Sequence, residues 1–495
     1  MRNDVRKIRK YTYVSVIIFA VGIFALSFPF VTASANSAPK HWYGSEALGT
    51  VITGDTADCP LEVKHETLTF DIGDLPKSHY NSADEFSDYD GRVTAEYTFY
   101  NPEPYDVSAT LMFPFGKMPT YSYHEYDEKI NDAELAEKYD VKINGAVAAK
   151  RLRHSYSEYK YVYGREFDTR AELNTMSDER IADDFYKPDA PVTVFRYRVR
   201  DLVHDNKGMP RAVTVINADK NVTRIMTEDN CNIRNVTDLT IEKYIENDDV
   251  IAVKVIGEPL ETTPKWTIYE NNSYRETQSG RLELIATETT TYGELVMSYY
   301  DSEQATSETD FYNAALSHIR KYDNIYAGSC KDIFVDLYRH MMRWYEYELN
   351  VPANSTVINS VTAPIYPDID DAGKDTVYGY KYLLSPARFW HSFGKLDIII
   401  NTDLFIANDG DGFTLEQGDE TVNRYTASLD GLPDEELVFY TCADGSVKYP
   451  RNTTAGIWTA IAVISFILIA FSIAAIATPI IVVCVYLAQK KKAKK

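Results

Sequence analysis

Three stretches of the chain gather side chains able to do chemistry, and each lacks a part that the chemistry needs. Ser157-Glu158-Tyr159-Lys160 sets a lysine three residues after a serine, so on a helix the amine could take the hydroxyl proton. The surrounding HSYSEYKYVYG alternates as a strand does, which puts the two side chains on opposite faces. The SDN and KTG partners of serine acyl-transfer enzymes are missing as well. Thr441-Cys442, with His391 upstream and Arg451 downstream, offers a thiol, a base and a cation, the parts of a peptide transpeptidase. Its approach reads VFYTC, where such enzymes carry TLxTC, so a disulfide or buried structural cysteine is the expectation. Asn408-Asp409-Gly410-Asp411-Gly412 offers oxygens to calcium, and Asp368, Asp370 and Asp371 form a second acidic cluster in an expected loop. With Gly412 as the sixth position of an EF-hand, the first and twelfth are Ala407 and Gly418, which cannot coordinate. A turn rich in Gly and Asp is expected there. HExxH, GxSxG, GxxxxGK[ST], CxxC and a GxGxxG after a strand are all absent. No catalytic, metal or cofactor-binding residue is assigned, and no cofactor is expected.

Tyrosine occurs 38 times. Tyr159, Tyr161 and Tyr163, and again Tyr378, Tyr380 and Tyr382, alternate so that each triple lines one face of a strand. Such rows can stack on sugar rings or grip a protein partner. Cross-strand packing inside a sandwich is the preferred reading.

The elements that must position these residues are mostly strands. In VTAEYTFYNPEPYDVSATLMFPF, Val93, Ala95, Tyr97 and Phe99 share one face, and Val107, Ala109, Leu111, Phe113 and Phe115 repeat the period of two. Asn101-Pro102-Glu103-Pro104 makes the turn between them, and Asn144-Gly145 predicts a two-residue hairpin. VTVFRYRV, AVTVI, VIAVKVI and ELVMSYY continue as strands, followed later by RWYEYELNV, VYGYKYLL, KLDIIINT and EELVFYT. Between 310 and 343 the period turns helical: Phe311, Ala315, Ile319 and Tyr322, then Ile333, Phe334, Leu337 and Met341. Ser329 with Asp332 resembles a capping box there.

Both ends of the chain are apolar. After a basic start (Arg2, Arg6, Lys7, Arg9, Lys10) comes a run from about Val14 to Phe30, then Ala33-Ser34-Ala35, which predicts a signal peptide cleaved before Asn36, or else an uncleaved anchor. Residues 455–487 carry no charge and, as a helix, reach roughly 50 Å, enough for one tilted membrane span. The lysine-rich KKKAKK that follows places this end in the cytoplasm. The chain carries −22; the first 35 residues contribute +4 and the lysine tail +5, leaving −31 between them. So acidic a segment excludes nucleic acid as a partner. Four of the five cysteines, Cys59, Cys231, Cys330 and Cys442, lie in that segment, enough for two disulfides in three connectivities. Asn221, Asn235, Asn271, Asn354 and Asn452 each begin an N-x-S/T triplet, which agrees with exposed loops.

YTFYNPEPYDVSATLMFPFG is similar to the strand–turn–strand signature of uncharacterised bacterial exported, membrane-anchored β-sandwich surface proteins. It also resembles the start of the vault/inter-alpha-trypsin domain, through the FP ending and the VKING that follows. Both resemblances imply a sandwich fold. The DxSxS metal motif of the von Willebrand-type domain that often accompanies the second is absent.

The sequence thus predicts a mainly β chain with two or more antiparallel β-sandwich domains, a short helical insertion and one C-terminal transmembrane helix. Its divisions are a signal peptide (1–35), an N-terminal β-sandwich region (36–305), a helical insertion (306–343), a second β domain (344–441), a stalk (442–454), a transmembrane helix (455–487) and a basic tail (488–495). The expected role is a single-pass cell-surface module, its bulk extracellular and its tail cytoplasmic. Membrane lipid contacts the helix, and a protein or glycan ligand is open at the β domains. An accessory subunit of a membrane complex, suggested by the small residues Ala470, Ser472, Ala474 and Ala475, stays open. So does a surface hydrolase or transpeptidase, although the reading leans away from an enzyme.

Overall fold

The computed structural model describes residues 34–35, 37–45, 52–54, 59–73, 91–116, 137–157, 169–203, 209–235, 238–270, 275–276, 279–303, 305–371, 373–407, 412–416 and 422–449. Strands dominate, as the period of two predicts. The expected signal sequence up to residue 33, residues 450–454 of the stalk, the apolar segment 455–487 and the tail lie outside the described residues. Among the described residues no helix is long and apolar enough to cross a membrane.

The chain is one β body interrupted by another. Strand Lys150–Tyr156 pairs antiparallel with Met341–Val351, Tyr156 opposite Met341, and the described strands and helices from Pro191 to His340 form the inserted body. In the host body an eight-stranded sheet runs Thr414–Glu416, Asn423–Asp430, Ser392–Thr402, Glu62–Ile72, Arg92–Tyr100, Thr356–Pro364, Val141–Ile143, Ala146–Val147. A five-stranded sheet centred on Asp106–Gly116 and Met341–Val351, and a smaller one built on Val377–Leu383 and Leu437–Cys442, enclose a core with it. Val93, Ala95, Tyr97 and Phe99 enter that core from one sheet, and Val107, Ala109, Leu111 and Phe113 from another, all fully buried. Asn144 and Gly145 take φ values of 48° and 79°, so the predicted hairpin forms.

Pairing runs across the boundaries drawn from the sequence. Ser392–Thr402, assigned to a second domain, lies parallel to Glu62–Ile72, and Met341–Val351 sits between Asp106–Gly116 and Lys150–Tyr156. Residues 344–441 are therefore half of the host body. The sheets are mainly but not wholly antiparallel, since Ser34–Ala35 with Val377–Leu383 and Thr223–Thr227 with Tyr326–Ser329 are also parallel. A strand's periodicity reports which face is buried and carries no record of its neighbour.

The inserted body has three layers. A sheet of Arg281–Thr291, Pro191–Arg200, Val250–Gly257, Thr223–Thr227 and Tyr326–Ser329 packs on a second sheet centred on Arg211–Ile216. Phe195, Tyr197, Ile225 and Val253 meet Ile216, Leu239 and Ile241 between them. The first sheet's other face, with Val192, Val194, Met226 and Ala252, is covered by helices Tyr292–Met297 and Glu308–Ile319. Of the helical stretch expected at 306–343, Glu308–Ile319 is thus part of this layer, while Tyr326–Ser329 is a strand of the first sheet and residues 341–343 open a strand of the host body.

Three local expectations are corrected. ELVMSYY is helical at its start, because Thr291 Oγ1 accepts from the Glu294 N–H and the Glu294 carboxylate accepts from the Thr291 N–H, a capping box that starts Tyr292–Met297. Ile333, Phe334 and Leu337 are buried as predicted, but on a π turn, Lys331–Val335, and a 3-10 turn, Asp336–His340. Ser329 still accepts from the Asp332 N–H at 3.1 Å. Asp368 and Asp370 stand on a short strand paired with Val377–Gly379, where a loop was expected.

Candidate functional site

The residues singled out for chemistry are mostly taken up by structure. Ser157 Oγ donates to Glu172 Oε1 at 2.6 Å and Ser155 Oγ to Glu172 Oε2 at 3.1 Å, while Lys160 lies outside the described residues. Cys442 is fully buried beside Val377 and Ala407, whereas His391 is exposed and Arg451 lies outside the described residues. Cys59, Cys231, Cys330 and Cys442 are all free thiols, so neither of the two allowed disulfides forms. Burial pushes the Cys59 thiol up to about 12, far from a reactive thiolate. Among the described residues no three His, Cys, Asp or Glu side chains gather to hold a metal ion. Residues 408–411, the calcium candidate, lie outside the described residues, as do Tyr159, Tyr161 and Tyr163.

Tyr378, Tyr380 and Tyr382 point into the host core. Tyr380 stacks on Phe439 at 5.1 Å, and Tyr382 meets Phe70 edge-on at 5.8 Å. They are packing residues, as the preferred reading has it.

Sequence reasoning missed a groove on the outer face of the eight-stranded sheet. Register places Asp397 opposite Ser428 on one side and Thr67 on the other, so one row of polar side chains crosses three strands. His65 Nε2 lies 2.8 Å from Asp397 Oδ2, and Lys395 Nζ donates to the same oxygen at 2.9 Å. The Lys395 bond leads the effects that hold the Asp397 carboxyl down at about 2, with Ser428 and His65 adding to it. The same face continues to the edge strand Thr414–Glu416, where Glu416 accepts from Arg424 Nε at 3.3 Å and from Thr426 Oγ1 at 3.2 Å. Over these strands lies a groove of about 470 Å³ lined by Thr67, Asp397, Ile399, Thr414, Glu416, Arg424 and Ser428. That volume is in the usual range for a small-molecule site. Asp397 alone breaks the apolar run of KLDIIINT, which is a weak signal. The parallel partner that supplies Thr67 is invisible from spacing.

A second polar centre joins the two bodies. Arg153, on the host hairpin, donates from Nε to Asp310 Oδ2 at 2.9 Å and from Nη2 to Oδ1 at 2.8 Å. Its Nη1 reaches Glu346 at 2.6 Å and Asp178 at 3.1 Å, and the His154 N–H donates to Asp310 at 3.0 Å. Asp310 belongs to helix Glu308–Ile319, so this cluster pins the inserted body to its host.

No protein-family model and no curated protein matches the chain. Among solved structures it is similar to a crystal structure from Legionella pneumophila titled a "putative nutrient binding protein", at 8% identity over 83% of this chain and 71% of that one. With a TM-score of 0.31, this likeness carries no argument about what the chain does.

Proposed function

We propose that the chain is a non-enzymatic binding module displayed at the outer face of a membrane, with its ligand in the Asp397 groove. The observation that carries this reading is the groove's lining. Four hydroxyl groups, from Thr67, Thr414, Thr426 and Ser428, stand with two carboxylates and one guanidinium on paired strands, and among the described residues no aromatic ring lines the groove. A neutral, polyhydroxylated ligand such as an oligosaccharide both donates to carboxylates and accepts from Arg424, while an anion meets Asp397 and Glu416. Asp397, held ionised down to about pH 2, accepts hydrogen bonds and is unsuited to giving up a proton near neutral pH. The uncharged segment 455–487 and the acidic chain before it support display outside a membrane.

Calorimetric titration of the detergent-solubilised chain with soluble neutral hexasaccharides of glucose, xylose and N-acetylglucosamine tests the ligand class. Binding of at least one, weakened more than about tenfold in Asp397→Ala, is expected, since a bond to a charged acceptor contributes roughly 1.5–3 kcal/mol. Equal binding by both proteins, or by neither, overturns the reading. Protease treatment of intact cells tests the location, and a chain left untrimmed removes the display half.

A further inference from the structure

Exposed apolar side chains collect at one corner of the host body, and neither the groove nor the clasp uses them. Phe405 is 40% exposed, Val422 42% and Leu415 52%. Hydrogen bonds between neighbouring segments bring the three together. Asn423, next to Val422, donates from Nδ2 to the Leu404 carbonyl at 2.9 Å. Leu415 stands opposite Tyr425, whose hydroxyl accepts from the Ile406 N–H at 3.4 Å. Leu404 and Ile406 flank Phe405, so all three side chains belong to segments joined at one short stretch. Apolar residues scattered singly over a surface are ordinary, whereas a group of them marks a surface that meets another apolar phase.

The same stretch holds the chain where it leaves the host body. The Tyr449 N–H donates to the Ala407 carbonyl at 2.8 Å. Gly445 lies against the Phe405 ring, so close that a Cβ on it would come within 3.0 Å of a ring carbon. Tyr449 is six Cα steps from Ala455, where the uncharged segment opens, and such a length spans at most roughly 20 Å. On the reading that this segment crosses a membrane, the corner carrying Phe405 is tethered close to the lipid surface. Charge does not supply an attraction there, because the chain between its two apolar ends is strongly acidic and anionic lipid repels it. Apolar and aromatic side chains entering the headgroup layer do supply one.

We propose that Phe405, Val422 and Leu415 form a docking surface for a zwitterionic lipid bilayer, an inference that rests on the membrane-display reading. Docking has a consequence for the groove. Along Thr414–Glu416, Leu415 projects from the opposite face to Thr414 and Glu416, which line the groove. Seating Leu415 on lipid therefore sets the groove's outermost strand at the membrane, so the groove takes ligands presented close to the bilayer.

The test is methyl NMR of the full-length chain, labelled at Leu and Val, in phosphatidylcholine nanodiscs with a nitroxide on some of the lipid headgroups. Val147 is the internal reference, since it is 67% exposed and stands on the opposite edge strand of the eight-stranded sheet. Seven strand spacings of about 4.8 Å, roughly 33 Å in all, separate the two edges. The Leu415 and Val422 methyl signals are expected to lose severalfold more intensity than those of Val147. Phe405→Asp should bring both losses down towards the Val147 level, with unchanged Val147 shifts reporting an intact fold. Equal losses at the two edges, in a chain that co-elutes with the discs, overturn the docking surface and leave the display reading standing. So do Leu415 and Val422 shifts that follow protein concentration in discs without nitroxide, which assign the corner to a second copy of the chain. A chain that does not enter the discs overturns the display reading, and this proposal with it.

Discussion

The Arg153 clasp and the Asp397 groove are built from the same parts, carboxylates hydrogen-bonded to cations, yet they serve opposite ends. Arg153 and Asp310 have side chains 3% and 1% exposed, so each charge has lost its water and depends on its partner. Asp397 is 26% exposed and His65 40%, so water still solvates both and a ligand can replace that water. Depth, and not residue type, separates a structural rivet from a binding surface here. The clasp also lies where two bodies meet, whereas the groove lies on the outward face of a single sheet.

The largest effect belongs to the clasp. Asp310→Ala strips the bidentate partner from a buried guanidinium and is expected to cost about 3 kcal/mol, read from the urea midpoint of the detergent-solubilised chain. An unchanged midpoint would mean that Glu346 and Asp178 suffice to hold Arg153 and that burial does not set the scale. Arg153→Lys retains the charge and loses the planar fork, so a smaller loss of about 1–3 kcal/mol is expected in the same measurement. At the groove, Asp397→Ala is expected to move stability by less than about 1 kcal/mol while weakening the ligand. A cost matching that of Asp310→Ala would erase the contrast between the two centres.

Acid gives the finest test. Folding lowers the Asp397 carboxyl from 3.8 to about 2, so its contribution is fully present above roughly pH 4 and is lost as pH falls through about 2. Carbon-13 NMR of the labelled carboxyl should show a single step near pH 2 in the folded chain. A midpoint near 4 would show that Lys395, Ser428 and His65 do not hold the carboxylate in solution.

How far these centres were legible follows from what alternation encodes. Tyr380 and Phe113 were placed on buried faces by period alone, because burial on one side of a pleated strand repeats every second residue. The start of helix Tyr292–Met297 was read as strand, because the apolar run behind Thr291 and Glu294 suits either period. Arg153 gave no such sign, because its partners stand 25, 157 and 193 residues away. Asp397 was visible as a polar break in an apolar strand, while Thr67, its neighbour across a parallel pairing, was not.

The sequence by itself determined the mainly β character, the faces that turn inward, the hairpin at Asn144-Gly145 and the acidity of the segment between the two apolar ends. These are local properties, set by side-chain period, turn chemistry and composition. Only the tertiary structure decided that strands some 330 residues apart share one sheet, as His65 and Asp397 show, that a second body is inserted into a hairpin of the first, and that one carboxylate is sealed while another faces a groove. Those outcomes depend on which strand edges find each other once apolar faces collapse, and hydrogen bonding between backbones is blind to side-chain identity.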